Sequence, residues 1–234
     1  MVSDTAAVIV AAGQGRRMGG TNKALIRLHS QPILSYSINA FKQCPSIGRI
    51  VIVMNDYDVQ RLQCEWQLTP QDLGADFVVE GGAERWLSSR AGVDAVCDGH
   101  DFVLVHDAAR PLIDSEDIEN VISAMREHGS ALAAEPLADT LKKCCGDTRV
   151  TATVDRDCLW RAQTPQGASC DLMQQAFSKW DCDSQGLPTD ESMMLENIGA
   201  NPQVVACKGP NFKLTSPRDL HVAEALLQCK TQRT

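Results

Sequence analysis

The stretch Ala6-Ala7-Val8-Ile9-Val10-Ala11-Ala12-Gly13-Gln14-Gly15-Arg16-Arg17-Met18, with Lys23 five residues further on, decides how the chain is read. Residues 6–10 are an apolar run that reads as a buried strand. It feeds a loop of small residues and then of cations. Small residues let backbone N–H groups approach phosphate oxygens, and the cations offset their charge. The pattern predicts a nucleoside-triphosphate enzyme built on a nucleotide-binding fold. Neither of the two common glycine signatures is present. No glycine precedes Lys-Ser or Lys-Thr at Walker A spacing, and Gly13-x-Gly15-x-x ends in Met18, with Gly19 one residue late. The loop alone leaves open an ordinary strand-to-helix turn carrying a solvated basic patch.

Outward from this loop, strand-like and helix-like stretches alternate. Residues 32–43 predict a helix, with Pro32 suited to its first turn and Ile33, Leu34, Ile38 and Phe41 on one stripe. Residues 50–54 and 77–79 read as strands, separated by a helical segment with Val59, Leu62 and Trp66. A helix over 84–96 leads to a strand over 102–105 that runs into His106-Asp107. Residues 114–128 form an amphipathic helix with acid at its start and His at its end, as the helix dipole favours, before 131–134 return to the sheet. Repeated βαβ alternation with continuous apolar strands predicts an α/β, Rossmann-like, mostly parallel sheet covered by helices on both faces. Ligands in such sheets bind beyond the carboxyl ends of the strands. Three polar clusters fall there: the Gly13 loop, Gly81-Gly82, and residues 106–111.

The pattern changes over about 136–161. Lys142-Lys143-Cys144-Cys145-Gly146-Asp147 reads as a polar hairpin tip, and 150–154 alternate like an exposed strand. A protruding β-arm used for dimerisation is the physical reading; a disordered surface loop is the alternative. No linker or repeat divides the chain, so residues 1–234 read as one domain.

Composition narrows the function. A formal charge of −8 argues against a broad nucleic-acid surface. Arg16, Arg17 and Lys23 clustered on that negative background suit a small anionic ligand. There is no signal pattern and no run of about 20 apolar residues, which predicts a cytoplasmic chain without a membrane span and with reduced thiols. The ten cysteines contain no C-x-x-C pair, which argues against a zinc ribbon, and each reads as a small buried hydrophobe. The five histidines show no metal-ligand spacing, and no G-x-S-x-G elbow is present.

Single positions carry paired readings. Asp107 at a strand end can orient a metal or a hydroxyl, or cap the next turn, and Arg110 can meet an anion or an acid. Gly81 and Gly82 let a base or ribose lie against backbone, and Ser88 or Ser89 can bond a base edge. Arg85 is either a ligand clamp or a helix-face charge. Thr189-Asp190-Glu191 also fits a helix N-cap. Lys213 is either an edge-strand guard or a phosphate contact.

Taken in order, V-A-A-G-x-G-R-R-M, E-G-G-x-x-R-x-x-S, V-H-D-A-A-R-P, D-T-L-K, T-V-D-R-x-x-L-W, T-P-Q, T-D-E and N-x-K-L-T resemble the 2-C-methyl-D-erythritol 4-phosphate cytidylyltransferase family of the non-mevalonate isoprenoid pathway. The resemblance runs from Val8 to about Leu227. It implies transfer of CMP from CTP to methylerythritol phosphate, giving 4-diphosphocytidyl-2-C-methyl-D-erythritol and pyrophosphate. The nucleophile is a phosphate monoester with a second pKa of about 6, so no general base is required. The obstacle is repulsion between anions, relieved by Mg²⁺ carried mainly on the CTP phosphates and by fixed cations.

By position, Arg17 and Lys23 match the family's catalytic pair, joined by Arg156 and Lys213. Ala11, Ala12, Gly13, Gly15, Arg16, Gly82, Ala83, Ser88, Asp107 and Ala108 match the nucleotide site. Asp107, Arg110, Thr140, Arg156, Thr164, Thr189 and Lys213 match the acceptor pocket, with Asp107 a candidate metal contact. The arm residues Thr140 and Arg156 imply a homodimer with sites shared across the interface. Two departures stand out. Thr21-Asn22-Lys23-Ala24 lacks the Pro and Gln that commonly flank the family's lysine, and Ala83 replaces a common acid. The alternatives are a cytidylyltransferase for ribitol 5-phosphate or a related polyol phosphate, and a non-catalytic nucleotide-binding module.

Overall fold

The computed structural model describes residues 3–13, 22–146 and 148–231. β1 (Thr5–Val10) leads through a 3-10 turn (Lys23–Leu25) and a short ribbon, β2 (Arg27–Leu28) and β3 (Gln31–Pro32), into α1 (Ile33–Lys42). Next come β4 (Ile47–Val53), α2 (Asp56–Trp66), α3 (Pro70–Leu73), β5 (Phe77–Val79), α4 (Arg85–Val96) and β6 (Phe102–Asp107). The chain continues through α5 (Ser115–His128), β7 (Ser130–Pro136), the hairpin β8 (Leu141–Cys144) and β9 (Val150–Val154), and β10 (Trp160–Ser169). It closes with α6 (Cys170–Lys179), α7 (Cys182–Gln185), α8 (Glu191–Asn197), β11 (Gln203–Ala206) and α9 (Pro217–Thr231).

Seven strands form one sheet in the order β11-β7-β10-β6-β1-β4-β5. β10 runs antiparallel to both of its neighbours, and the other pairings are parallel. The central strands are apolar on both faces because both faces are covered. On one side Ile9, Ile52 and Leu104 pack with Leu34, Ile38 and Phe41 of α1 and Ile118, Val121 and Ile122 of α5. On the other, Val8, Val51, Val53, Val103 and Val105 meet Val93 and Val96 of α4, Met173 and Phe177 of α6, and Met194 of α8. Gly92 lets α4 lie directly on the sheet. A Cβ there would fall 2.3 Å from Val8 Cγ1 and 2.7 Å from Val53 Cγ2.

The α/β, mostly parallel architecture agrees with the sequence pattern. Two details differ. Lys142–Lys143–Cys144 are strand residues of β8, paired with β9, so the hairpin turn begins at Cys145. Only Cys44 and Cys170 among the cysteines are fully buried; Cys64, Cys144, Cys145, Cys158 and Cys229 are exposed. Polarity of the surrounding segments overrides the intrinsic preference of cysteine for the interior. Every residue of β8 and β9 is exposed. No helix among the described residues is long and apolar enough to cross a membrane.

Candidate active site

The carboxyl ends of β1 and β6, the turn after β5 and the segment before α9 converge on a cavity of about 350 Å³. Ala11, Ala12, Gly13, Lys23, Gly82, Ala83, Ser88, Asp107, Ala108 and Lys213 all line it. Gly15, Arg16 and Arg17 lie outside the described residues.

The backbone of Ala11 is committed to the scaffold rather than to a phosphate. Its N–H donates to Val53 O at 2.8 Å, and its carbonyl accepts from Asn22 Nδ2 at 2.6 Å. Lys23 follows, and its Nζ donates to Leu214 O at 3.1 Å. Gly82 and Ala83 form another part of the wall, with Gly81 packed behind it against Ala12. A Cβ on Gly81 would fall 2.3 Å from Ala12 Cβ, so the two loops touch only because glycine is there. Ser88 is buried, and its Oγ accepts from the Gly82 N–H at 3.1 Å. Its hydroxyl therefore shapes the turn, where the sequence offers it to a base edge. Ser89, the other candidate, is fully buried and does not line the cavity.

Asp107 ends β6 at the cavity floor. One carboxylate oxygen accepts from Arg85 Nε at 2.9 Å, and the other from Lys213 Nζ at 2.8 Å. Burial alone would raise the pKa of this carboxyl, but Arg85 and Lys213 hold it well below the usual range. Arg85 turns its other edge to Glu191, with bonds of 2.8 and 3.1 Å. Glu191 is fully buried. Burial works against the charge on Arg85, while Glu191 and Asp107 raise its pKa above the ordinary value. Arg85 lines the cavity while both of its edges are paired, so it is not a solvated helix-face charge. It joins α4, β6 and α8 beneath the cavity.

A second layer fixes the backbone at Asp107. Its N–H donates to Thr164 Oγ1 at 3.0 Å, and that hydroxyl lies 3.1 Å from His106 Nδ1. His106 Nε2 sits 3.2 Å from the Arg110 carbonyl. A carbonyl only accepts, so Nε2 carries the proton and Nδ1 accepts from the threonine hydroxyl. Complete burial pushes the His106 pKa down to about 4, leaving the ring neutral.

Other sequence-predicted residues fall outside the cavity wall. Arg110 donates through Nη1 to Asn211 O at 2.8 Å, and its Nε stands 3.6 Å from Asp107. Thr164 is buried, its side chain spent on Asp107 and His106. Thr189 is exposed; the N-cap of α8 is Asp190, whose side chain accepts from Met193 N. Thr140 and Arg156 are exposed within the arm region, with Arg156 bonded to the Ala138 carbonyl. Asp107, the candidate metal contact, has each oxygen paired with a cation, one with Arg85 and the other with Lys213. Among the described residues no three His, Cys, Asp or Glu side chains gather as a metal site. Sequence reasoning missed Asn22 and Glu191. T-D-E marked the right place for Glu191, but no spacing reveals a contact with Arg85 across 106 positions.

The family model for 2-C-methyl-D-erythritol 4-phosphate cytidylyltransferase matches residues 5–229. The enzyme of that name from Alkaliphilus oremlandii is 37% identical over 99% of this chain and 98% of its own. Its counterpart from Symbiobacterium thermophilum is 38% identical over 94% and 92%. The crystal structure of 4-diphosphocytidyl-2C-methyl-D-erythritol synthase from Anaerococcus prevotii superimposes with a TM-score of 0.80 at 26% identity, covering 96% of this chain and 98% of that one.

Proposed function

This chain belongs to the 2-C-methyl-D-erythritol 4-phosphate cytidylyltransferase family, and from that premise we infer that it transfers CMP from CTP to 2-C-methyl-D-erythritol 4-phosphate with release of pyrophosphate. The observation that carries the site assignment is the meeting of Lys23 and Lys213, from opposite ends of the chain, in one cavity at the carboxyl ends of the strands.

CTP enters with its triphosphate against the Gly13 loop and Lys23, and its nucleoside against the Gly82-Ala83 wall. The acceptor phosphate arrives beside Lys213. Asp107 keeps that ammonium 2.8 Å away, which anchors it without using all three of its N–H donors. The acceptor is already a dianion for the most part at neutral pH, so no group need remove a proton. One of its oxygens attacks the α-phosphorus in line, the bond to the bridging oxygen breaks, and pyrophosphate leaves. Lys23 and Arg17 stabilise the charge that grows on the leaving group, and Lys213 reduces repulsion between the two anions. Mg²⁺ bound with CTP would spread the charge of its phosphates.

The exposed hairpin supports a homodimer, in which Thr140 and Arg156 reach the acceptor in a neighbouring subunit. We place the whole activity in one domain, in the cytoplasm. The test is pyrophosphate release from CTP with two acceptors. Methylerythritol phosphate is expected to drive it and ribitol 5-phosphate to leave it near background. Faster release with ribitol 5-phosphate overturns the acceptor assignment, and no release with either overturns the activity.

A further inference from the structure

We propose that Asn22, held by Asp58, is the positioning residue for Lys23, a role that rests on the reading of Lys23 given above. The Asn22 side chain makes three bonds. Nδ2 donates to Ala11 O at 2.6 Å and to Asp58 Oδ2 at 2.7 Å, while Oδ1 accepts from Ala24 N at 3.0 Å. Those bonds use both N–H groups and the oxygen of the amide. Asn22 and Asp58 are each only 5% exposed, so water does not replace the contacts cheaply.

The bond to Ala11 clasps the two ends of the glycine loop. It ties the first residue after β1 to the residue just before Lys23, across 11 positions of sequence. Asp58 is itself pinned. Its Oδ2 also accepts from Asn55 Nδ2 at 2.8 Å, and its N–H donates to Asn55 Oδ1 at 2.8 Å. Asn55 caps α2, which follows β4. β1 and β4 are adjacent parallel strands, buried from Ile50 to Val53 on the β4 side, so the clasp hangs from paired, buried strands of the main sheet.

On the far side of Asn22, the same side chain caps the 3-10 turn that carries Lys23. Leu25 N donates to Asn22 O and Ile26 N to Lys23 O, and Ala24 and Leu25 are buried. The backbone around Lys23 is therefore fixed on both sides. A lysine is a point charge on a flexible stem, so where its Cα stands decides which phosphate it meets. Alanine at position 22 releases the Ala11 carbonyl, the Asp58 carboxylate and the Ala24 amide together. Aspartate there faces Asp58 with a second carboxylate.

The test is a double-mutant cycle on CMP transfer with CTP and methylerythritol phosphate. It compares the parent, Asn22→Ala, Lys23→Ala and the double variant, with thermal melts of each. Asn22→Ala is expected to lower kcat/KM for CTP by about tenfold to a hundredfold, the scale of an ångström-sized misplacement. KM for methylerythritol phosphate should not move, and the double variant should be no worse than Lys23→Ala alone. Asn22→Ser keeps an oxygen for the Ala24 amide but has no N–H for Ala11. It should show the same loss, and it carries the test if the alanine variant does not fold. Losses that multiply in the double variant, or an Asn22→Ser enzyme within about twofold of the parent, overturn the inference while leaving Lys23 in place. Wild-type turnover in Lys23→Ala overturns the reading of Lys23 itself, and this inference with it.

Discussion

At the scale of the residue, the floor of the cavity is a chain of charges in which each member needs the next. Asp107 is acceptable beneath the cavity because Arg85 and Lys213 neutralise it, and Arg85 because Glu191 completes its fork. Breaking a buried ion pair from one side leaves an uncompensated charge, which commonly costs about 3 to 5 kcal/mol. Glu191→Ala should fall at the lower end, about 3 kcal/mol, since Arg85 keeps Asp107 and some contact with water. A urea denaturation curve measures this, and an unchanged midpoint would remove Glu191 from the account. His106 gives a pH signature. Its pKa drops to about 4 in the fold, from an ordinary 6.5. Between those values the unfolded ring binds a proton and the folded ring does not. Stability from this residue is therefore complete above pH 6.5 and is lost as pH falls toward 4. The span corresponds to about 3 kcal/mol. Thermal melts of His106→Gln should decline less steeply over that window than those of the parent; equal slopes contradict the assignment. Asp107 was legible because it ends a buried apolar strand, and Lys23 and Lys213 because they fall within the ordered motifs, although Lys213 lies in an irregular segment before α9 rather than in an edge strand. Asn22 and Glu191 were not, since a buried polar residue reveals itself through partners that only the fold supplies.

Among elements, α4 shows how backbone contact reaches the site. Arg85 opens this helix, Ser88 lies in its first turn, and Gly92 presses it against β1 and β4. Gly92→Ala must push the helix outward by several tenths of an ångström or more, because Val8 and Val53 are fully buried. Overpacking of this kind typically costs about 1 to 3 kcal/mol. The same shift moves Arg85 away from Asp107. A lower melting temperature together with a raised KM for CTP is the expected pair of effects; a loss of stability with an unchanged KM would separate the helix from the site. The strands of the first half were legible as uninterrupted apolar runs. β10 was not, because its buried stretch includes Gln163, Thr164 and Gln166. Those side chains enter the interior on hydrogen bonds: Gln166 Nε2 reaches Asp190 at 3.0 Å, and its Oε1 accepts from Ser192 N at 2.8 Å. Periodicity of apolar residues cannot detect a strand buried in that way.

The molecule as a whole presents a cleft and, at a distance from its own core, an exposed two-stranded hairpin. We propose that the two meet across a twofold axis, the cleft of one subunit completed by the hairpin of the other. Closed symmetric dimers place the same pair of surfaces twice, so each dimer holds two such composite sites. The direct test mixes two inactive enzymes, Lys23→Ala and Arg156→Ala, and measures pyrophosphate release after subunit exchange. Each parent alone should be slower than the wild type by about a hundredfold or more, the loss typical of removing one charge-stabilising donor. A mixed dimer contains one site with both residues intact, so activity should rise toward about a quarter of the wild-type rate in an even mixture. Mixed dimers that form, as shown by mass or affinity tag, and yet release pyrophosphate no faster than their parents would contradict the shared site.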